Sequence, residues 1–349
     1  MTLETDLAAF LCQDFVVVTR SGSDAILCSL LAHDIGPQDE VLLPVSICQT
    51  VVNMVLLIGA VPVLCDCNAE LGLCPKQAGR HLTPRTRAII AHHPHGLAQH
   101  MGPLCRLAED AGLLFIEDCA QSVGAQRDGQ PVGQSGDVAV FSFGTGKTTP
   151  LGFGGAIGTA DAALQRRLRD IARCGAPGFS DHAALGINSS PSPAETRLFQ
   201  RRIPSFPDML ARRAEKAKAM ARRFAPQFKT LGPYADRPAA PNRLILDLGA
   251  DTEIGAHALK RAFRSETPRQ FHDLVQTAVS PAPFAIEFVN RRLPAPLRDP
   301  AGRRFVQWRA IENRYLFLRT CNRHSTEQAL KAVDHLMLCA SALPQSVGE

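Results

Sequence analysis

The sequence is short of the features that would take it out of the ordinary globular class. No apolar run approaches the roughly 20 residues that span a bilayer. The opening residues Met1-Thr2-Leu3-Glu4-Thr5-Asp6 are acidic where a secretory leader is basic, so we expect no membrane partner and a cytoplasmic location. Internal repeats and long low-complexity tracts are missing, and 45% hydrophobic with 20% charged residues excludes a disordered or collagen-like chain. Regular cysteine spacing is missing too. The eleven cysteines are an odd number scattered through apolar segments, which suits reduced thiols acting as small hydrophobes. Only Cys65, Cys67 and Cys74 cluster; their spacing matches no common zinc pattern, and no metal is expected.

Lysine is also scarce. Only seven of the 38 basic residues are lysine and 31 are arginine, so a lysine in an unusual setting stands out. The arginine pairs Arg166-Arg167, Arg201-Arg202, Arg212-Arg213 and Arg222-Arg223 come without interleaved aromatics or a recognition motif. They read as solvated helix faces, and no nucleic-acid partner is expected.

What is present is an alternating pattern. At roughly 150 residues per domain, 349 residues predict two domains. Short apolar runs at 15–18, 41–43, 62–64, 88–91, 113–116, 138–141 and 156–158 read as buried strands, with helices at 23–32, 50–58 and 101–111 between them. Such alternation predicts a mostly parallel sheet whose ligands bind beyond the carboxyl ends of its strands. From about 161 the chain turns helical. It passes a Pro-rich loop at 189–193, a helix at 207–224 and a break at 233–241. Strands at 244–246 and 315–318 and a helix at 326–338 then suggest a smaller α/β domain. The expected division is 1–225 and 226–349.

Four strand ends carry polar residues. Thr19-Arg20-Ser21-Gly22-Ser23-Asp24 is a turn opening a helix, fit either to seat a phosphate or simply to cap the helix through Ser23. Ile116-Glu117-Asp118 ends a strand in two acids, read evenly as partners of a cationic ring nitrogen or metal and as solvated or capping groups. Ala91-His92-His93-Pro94-His95-Gly96 lacks the helical spacing of zinc ligands and reads as a loop lining the cleft. In Phe141-Ser142-Phe143-Gly144-Thr145-Gly146-Lys147-Thr148-Thr149, Lys147 is the only lysine between residues 77 and 215. An amine held among small and apolar groups is a candidate nucleophile. A nucleotide-triphosphate loop is rejected there, because Phe141 stands where a glycine is needed and Pro150 forbids the following helix.

Taken in order, these segments resemble the DegT/StrS-type sugar aminotransferases among the fold type I pyridoxal-phosphate enzymes. Ser21-Gly22-Ser23-Asp24-Ala25 is similar to S-G-T-D-A, Gly36-Pro37-Gln38-Asp39-Glu40-Val41 to G-P-G-D-E-V, and Gly59-Ala60-Val61-Pro62-Val63 to G-A-x-P-V. Thr83-Pro84-Arg85-Thr86-Arg87-Ala88 is similar to T-P-R-T-K-A, and His93-Pro94-His95-Gly96 to H-L-Y-G. Glu117-Asp118-Cys119-Ala120-Gln121 matches E-D-A-A-Q, and Phe141-Ser142-Phe143 with Lys147 matches F-S-F-x-x-x-K.

The resemblance implies a homodimer with sites at the subunit interface, using pyridoxal phosphate to pass an amino group, from glutamate, to a keto group of a nucleotide-linked sugar or related polyol. It implies Lys147 as the cofactor's lysine, Asp118 at the ring nitrogen and Gln121 near the ring oxygen. Gly22, Ser23 and Ser142 would hold the phosphate, and Asn188 would reach the neighbouring subunit's phosphate. Three departures stand out. Cys48 replaces an aromatic residue that stacks on the ring, Phe153 replaces the glutamate of G-E-G-G, and Ser189-Ser190 replaces Tyr-Arg. His93, His95 and Phe153 are expected to line the substrate side. The departures keep open an alternative, a lyase, dehydratase or non-catalytic relative with the same cofactor.

Overall fold

The computed structural model describes residues 2–175, 185–231, 241–249, 255–277, 305, 308, 310–311, 314–320 and 324–343. All seven strands expected before residue 160 form. They are β1 (Phe15–Thr19), β2 (Glu40–Pro44), β3 (Val61–Cys65), β4 (Thr86–His92), β5 (Leu114–Asp118) and, after the small hairpin of β6 (Gln126–Arg127) and β7 (Gln130–Pro131), β8 (Val138–Ser142) and β9 (Gly155–Thr159). They make one sheet in the order β1-β9-β8-β5-β4-β2-β3. Only β9 runs against the rest. The runs are apolar throughout because both faces are covered: β2, β5, β8 and β9 are buried at every residue.

The covering helices are α1 (Leu3–Leu11), α2 (Gly22–Leu31), α3 (Gln49–Leu57), α4 (Pro75–Arg80), α5 (Gly102–Ala111) and α6 (Ala162–Ala172). The expected helix at 23–32 starts and ends one residue earlier. After α7 (Pro193–Arg202), which opens on a Ser192/Glu195 capping box, comes the long α8 (Phe206–Phe224).

A second sheet follows, wholly antiparallel, of β10 (Lys229–Thr230), β11 (Arg243–Asp247), β13 (Tyr315–Arg319) and β12 (Val275–Thr277), in that order. Leu244, Leu246, Leu316 and Leu318 are buried on one face, over which lie α8, α9 (Ala256–Glu266) and α10 (Thr326–Ala342). The break expected at 233–241 lies almost wholly outside the described residues. α8 joins the two sheets. Phe206 packs in the aromatic cluster of Phe143 and Phe199 under the first sheet, while Met220 and Phe224 belong to the core shared with the second.

Two expectations change. The arginine pair at 212–213 is not solvated: Arg213 is only 1% exposed, because Met209, Arg213, Lys216, Ala217, Met220 and Phe224 form the buried stripe of α8. Not every cysteine is core either; Cys28, Cys65, Cys67, Cys119 and Cys339 are buried, but Cys12 and Cys174 are exposed. Among the described residues no helix is long and apolar enough to cross a membrane.

Candidate active site

Because only β9 is reversed, Thr19, Pro44, His92, Asp118 and Ser142 all end at one edge of the sheet, where β9 begins with Gly155 opposite both Thr19 and Ser142. Helix α2 starts at this edge. Its cap is Ser21 rather than Ser23: the Ser21 hydroxyl accepts the Asp24 N–H at 3.0 Å. Gly22 and Ser23 occupy the first turn, where free N–H groups and the positive end of the helix dipole favour an anion. A Cβ on Gly22 would stand 2.8 Å from Ser142 Cβ, so a glycine is needed for α2 to meet the end of β8. Ser189, fully buried, locks the turn from outside. Its hydroxyl accepts the Arg20 N–H at 3.1 Å and donates to Asp24 at 2.7 Å. No motif around Ser189 signals this role. Asn188, beside it, is exposed and bridges to Arg173.

The loop between β8 and β9 carries Lys147. It is folded back on itself by Phe143 N–H to Gly154 O at 2.9 Å, Leu151 N–H to Phe143 O at 2.7 Å and Gly154 N–H to Arg20 O at 2.8 Å. Positive φ angles at Gly146, Gly152 and Gly154 make this path possible. No helix follows Thr148, in accord with rejecting a nucleotide-triphosphate loop. Arg213 reaches from α8 and donates to the Lys147 carbonyl at 2.9 Å. Phe153 follows Gly152 in this loop. Its ring packs edge-on against Phe199 at 6.2 Å, at the rim of the aromatic cluster.

Neither acid at the end of β5 is solvated. Glu117 points into a buried cradle, accepting from the Gly133 and Ser135 N–H groups at 2.7 Å each and meeting His93 Nε2 at 2.6 Å. Burial pushes its carboxyl up, but His93 and the two N–H groups outweigh it and hold the group below the ordinary range. His93 Nδ1 accepts the Gln99 N–H at 2.8 Å, which leaves Nε2 as the donor to Glu117. His93, 2% exposed, is therefore a structural residue and not the expected substrate contact. The close group of His93, Glu117 and Cys119 has these ligand atoms already engaged.

Asp118 is the other acid. Burial pushes its carboxyl above the ordinary range, against the pull of the Ala120 N–H, the Lys147 charge and His93. A buried carboxylate of this kind gains from a cationic partner. Gln121 follows, its side-chain oxygen accepting the His95 N–H at 3.1 Å. His95 sits at φ 55° in the turn after β4. Burial, then Arg243, His92 and Lys147, hold its imidazole well below the ordinary value, and its Nδ1 is buried with no partner among the described residues. Next to it, burial and His93 hold His92 down to about 3. Cys48, the cap residue of α3, sits beyond β2 with its thiol 3.1 Å from Thr50 Oγ1, on the side of the cleft faced by Arg243.

Along this edge lie the N-terminus of α2 beside Ser142, a lysine, a buried carboxylate and an imidazole whose Nδ1 has no partner among the described residues. That donor set fits a ligand carrying a phosphate, an aldehyde and a ring nitrogen. Residues 1–240 match the DegT/DnrJ/EryC1/StrS aminotransferase family. Over 189 residues the chain is 40% identical to a UDP-N-acetyl-3-dehydro-alpha-D-glucosamine 3-aminotransferase of Acidithiobacillus ferrooxidans, covering 54% of this chain and 51% of that one. It is 33% identical over 216 residues to a dTDP-3-amino-3,4,6-trideoxy-alpha-D-glucose transaminase of Streptomyces venezuelae, covering 61% and 57%. These matches thus span little more than half the length of the relatives. The fold is similar to that of S. venezuelae DesV, solved in complex with a ketimine intermediate, with a TM-score of 0.82, 26% identity and coverage of 98% of this chain and 89% of that one. Sequence motifs, sheet order and the residues gathered at the sheet edge agree, and the chain belongs to the DegT/DnrJ/EryC1/StrS aminotransferase family.

Proposed function

We propose that the chain is a pyridoxal-phosphate aminotransferase that moves an amino group from glutamate to the keto group of a nucleotide-linked sugar or related polyol. The observation that carries this reading is the convergence of Lys147 and Asp118. Asp118 ends β5 and Lys147 lies in the loop after β8, yet the Lys147 charge acts on the buried carboxyl. When bound, pyridoxal phosphate supplies an aldehyde to carry the amino group and a ring that withdraws electrons. Gly22, Ser23 and Ser142 bind its phosphate, and Asp118 holds the proton on its ring nitrogen. Gln121 orients the ring through its oxygen. The Lys147 amine anchors the group and moves the proton at the reacting substrate carbon. His95 lines the substrate side.

The same reading makes the protein a cytoplasmic homodimer, with Asn188 of each chain completing the neighbour's phosphate seat. It also divides the chain near residue 225, where α8 ends. The test is absorbance spectroscopy of the purified protein. The wild type is expected to be yellow, and glutamate to bleach that band to the pyridoxamine form, while Lys147→Ala lacks the borohydride-reducible chromophore. If glutamate and a panel of other amino acids leave the cofactor-saturated spectrum unchanged, the lyase or non-catalytic alternative replaces this reading.

A further inference from the structure

The second sheet turns one face toward the site. Alternation along β13 puts Tyr315, Phe317 and Arg319 on that face, and the register pairs Arg319 with Arg243 across the ladder. The orientation is fixed by contact. The Phe317 ring meets His95 edge-on at 4.9 Å, and the Tyr315 hydroxyl donates to the Ala69 carbonyl at 3.2 Å. The entry to β11 is clamped to the loop after β4: the Asn242 N–H donates to the His95 carbonyl at 3.0 Å, and Gly96 approaches Pro241 so closely that a Cβ would lie 2.5 Å from its Cα. Arg243 therefore begins one residue from His95. Its charge acts on His95, as does that of Lys147, and Cys48 lies within its field.

We propose that Arg243, with Arg319 beside it, binds the carboxylate of the amino donor. This deepens the aminotransferase reading and rests on it. A guanidinium matches a carboxylate with two parallel hydrogen bonds, and two on one face suit a dicarboxylate such as glutamate. They stand apart from the phosphate seat, because β4 is two strands from β8, about 10 Å at ordinary strand spacing. The donor's carboxylate is one bond from the carbon that reacts at Lys147, whereas the diphosphate of a nucleotide sugar is separated from its keto carbon by part of the sugar ring. The carboxylate is thus the better occupant of a site that shares His95 with Lys147.

The test is calorimetric binding of glutarate, an unreactive dicarboxylate, to cofactor-loaded wild type, Arg243→Gln and Arg243→Lys, with uridine diphosphate as a second ligand. Glutarate is expected to bind the Gln variant roughly 30-fold or more weakly, with partial recovery in the Lys variant and the nucleotide changed by less than about threefold. Unchanged glutarate affinity, no glutarate binding to wild type, or a larger loss for the nucleotide overturns the proposal. Arginine-directed labelling of wild type by phenylglyoxal, mapped by mass spectrometry, needs no variant: glutarate must protect Arg243, and failure to do so also overturns it. Binding requires no turnover, so the outcomes separate. Glutarate held through Arg243 without bleaching by glutamate rejects the aminotransferase reading alone, and bleaching unaffected by Arg243→Gln rejects only this site.

Discussion

The two ends of the cleft are built on different principles. At the β1/β8 end the working groups are the backbone of Gly22 and Ser23 and a small hydroxyl, fixed by the Ser21 cap and the buried Ser189. At the β2/β4 end they are side chains, namely His92, His95, Cys48 and Arg243, whose state depends on burial and on a second sheet packed above them. A backbone seat tolerates few changes because each atom is placed by the fold. A side-chain wall can be rewritten one residue at a time, as at Cys48, whereas the departure at Ser189 braces the backbone seat from outside and leaves its atoms in place.

Asp118, between the two ends, should show the largest effect on changing one group. Asp118→Asn keeps the shape but removes the charge partner of the ring nitrogen, and loss of one preorganised partner costs about 2.7–4 kcal/mol. Single-turnover amino transfer should fall roughly 100- to 1,000-fold with cofactor retained, and an unchanged rate would reject the role. Gly22→Ala strikes the backbone end. Its Cβ would force the turn away from Ser142, and such overpacking costs about 1–3 kcal/mol. Cofactor titration should show affinity down by tenfold or more, whereas Ser142→Ala should lose less.

The side-chain end should respond to pH instead. Unfolded His92 binds a proton below about 6.5, while the folded residue refuses it until about 3. The stability it contributes is therefore full above 6.5 and lost as pH falls from 6.5 toward 3, at up to about 1.4 kcal/mol per pH unit. His95 acts in the same sense. Urea unfolding between about pH 7 and about pH 5.5 should register a loss of about 1 kcal/mol from His92. His92→Leu should flatten the slope by that amount, and an identical slope in the variant would show that the ring is not buried neutral.

What could be read in advance follows the same division. The strands of the first sheet are legible because burial on both faces leaves unbroken apolar runs, whereas the turn at residues 21–23 reads as a phosphate seat only beside the other motifs, because a Gly/Ser turn before a helix serves equally as a cap. Helix α9 was not foreseen: Gly255 offers no side-chain cap, and its polar face carries Lys260, Arg261 and Arg264. As one of an arginine pair Arg213 reads as a surface residue, although its spacing from Met209, Ala217, Met220 and Phe224 puts it on the apolar stripe. The sequence does not signal Ser189, whose partner Arg20 lies 169 residues away, or Arg243, which stands beside His95 only because Asn242 is bonded to the loop after β4. His93 reads as a cleft residue because its loop follows a strand end, and its carboxylate partner, on β5, is 24 residues away in sequence.

Helix α8 works as a lever arm. Its 19 residues make a rod of about 28 Å, seated at one end among Phe143 and Phe199, at the other beneath the second sheet, and touching the Lys147 carbonyl through Arg213 in between. A stiff rod held at three points cannot pivot at one without straining another. Any tilt of the second sheet therefore pulls on the peptide that carries Lys147, so the placement of that sheet and the placement of this peptide are mechanically one adjustment.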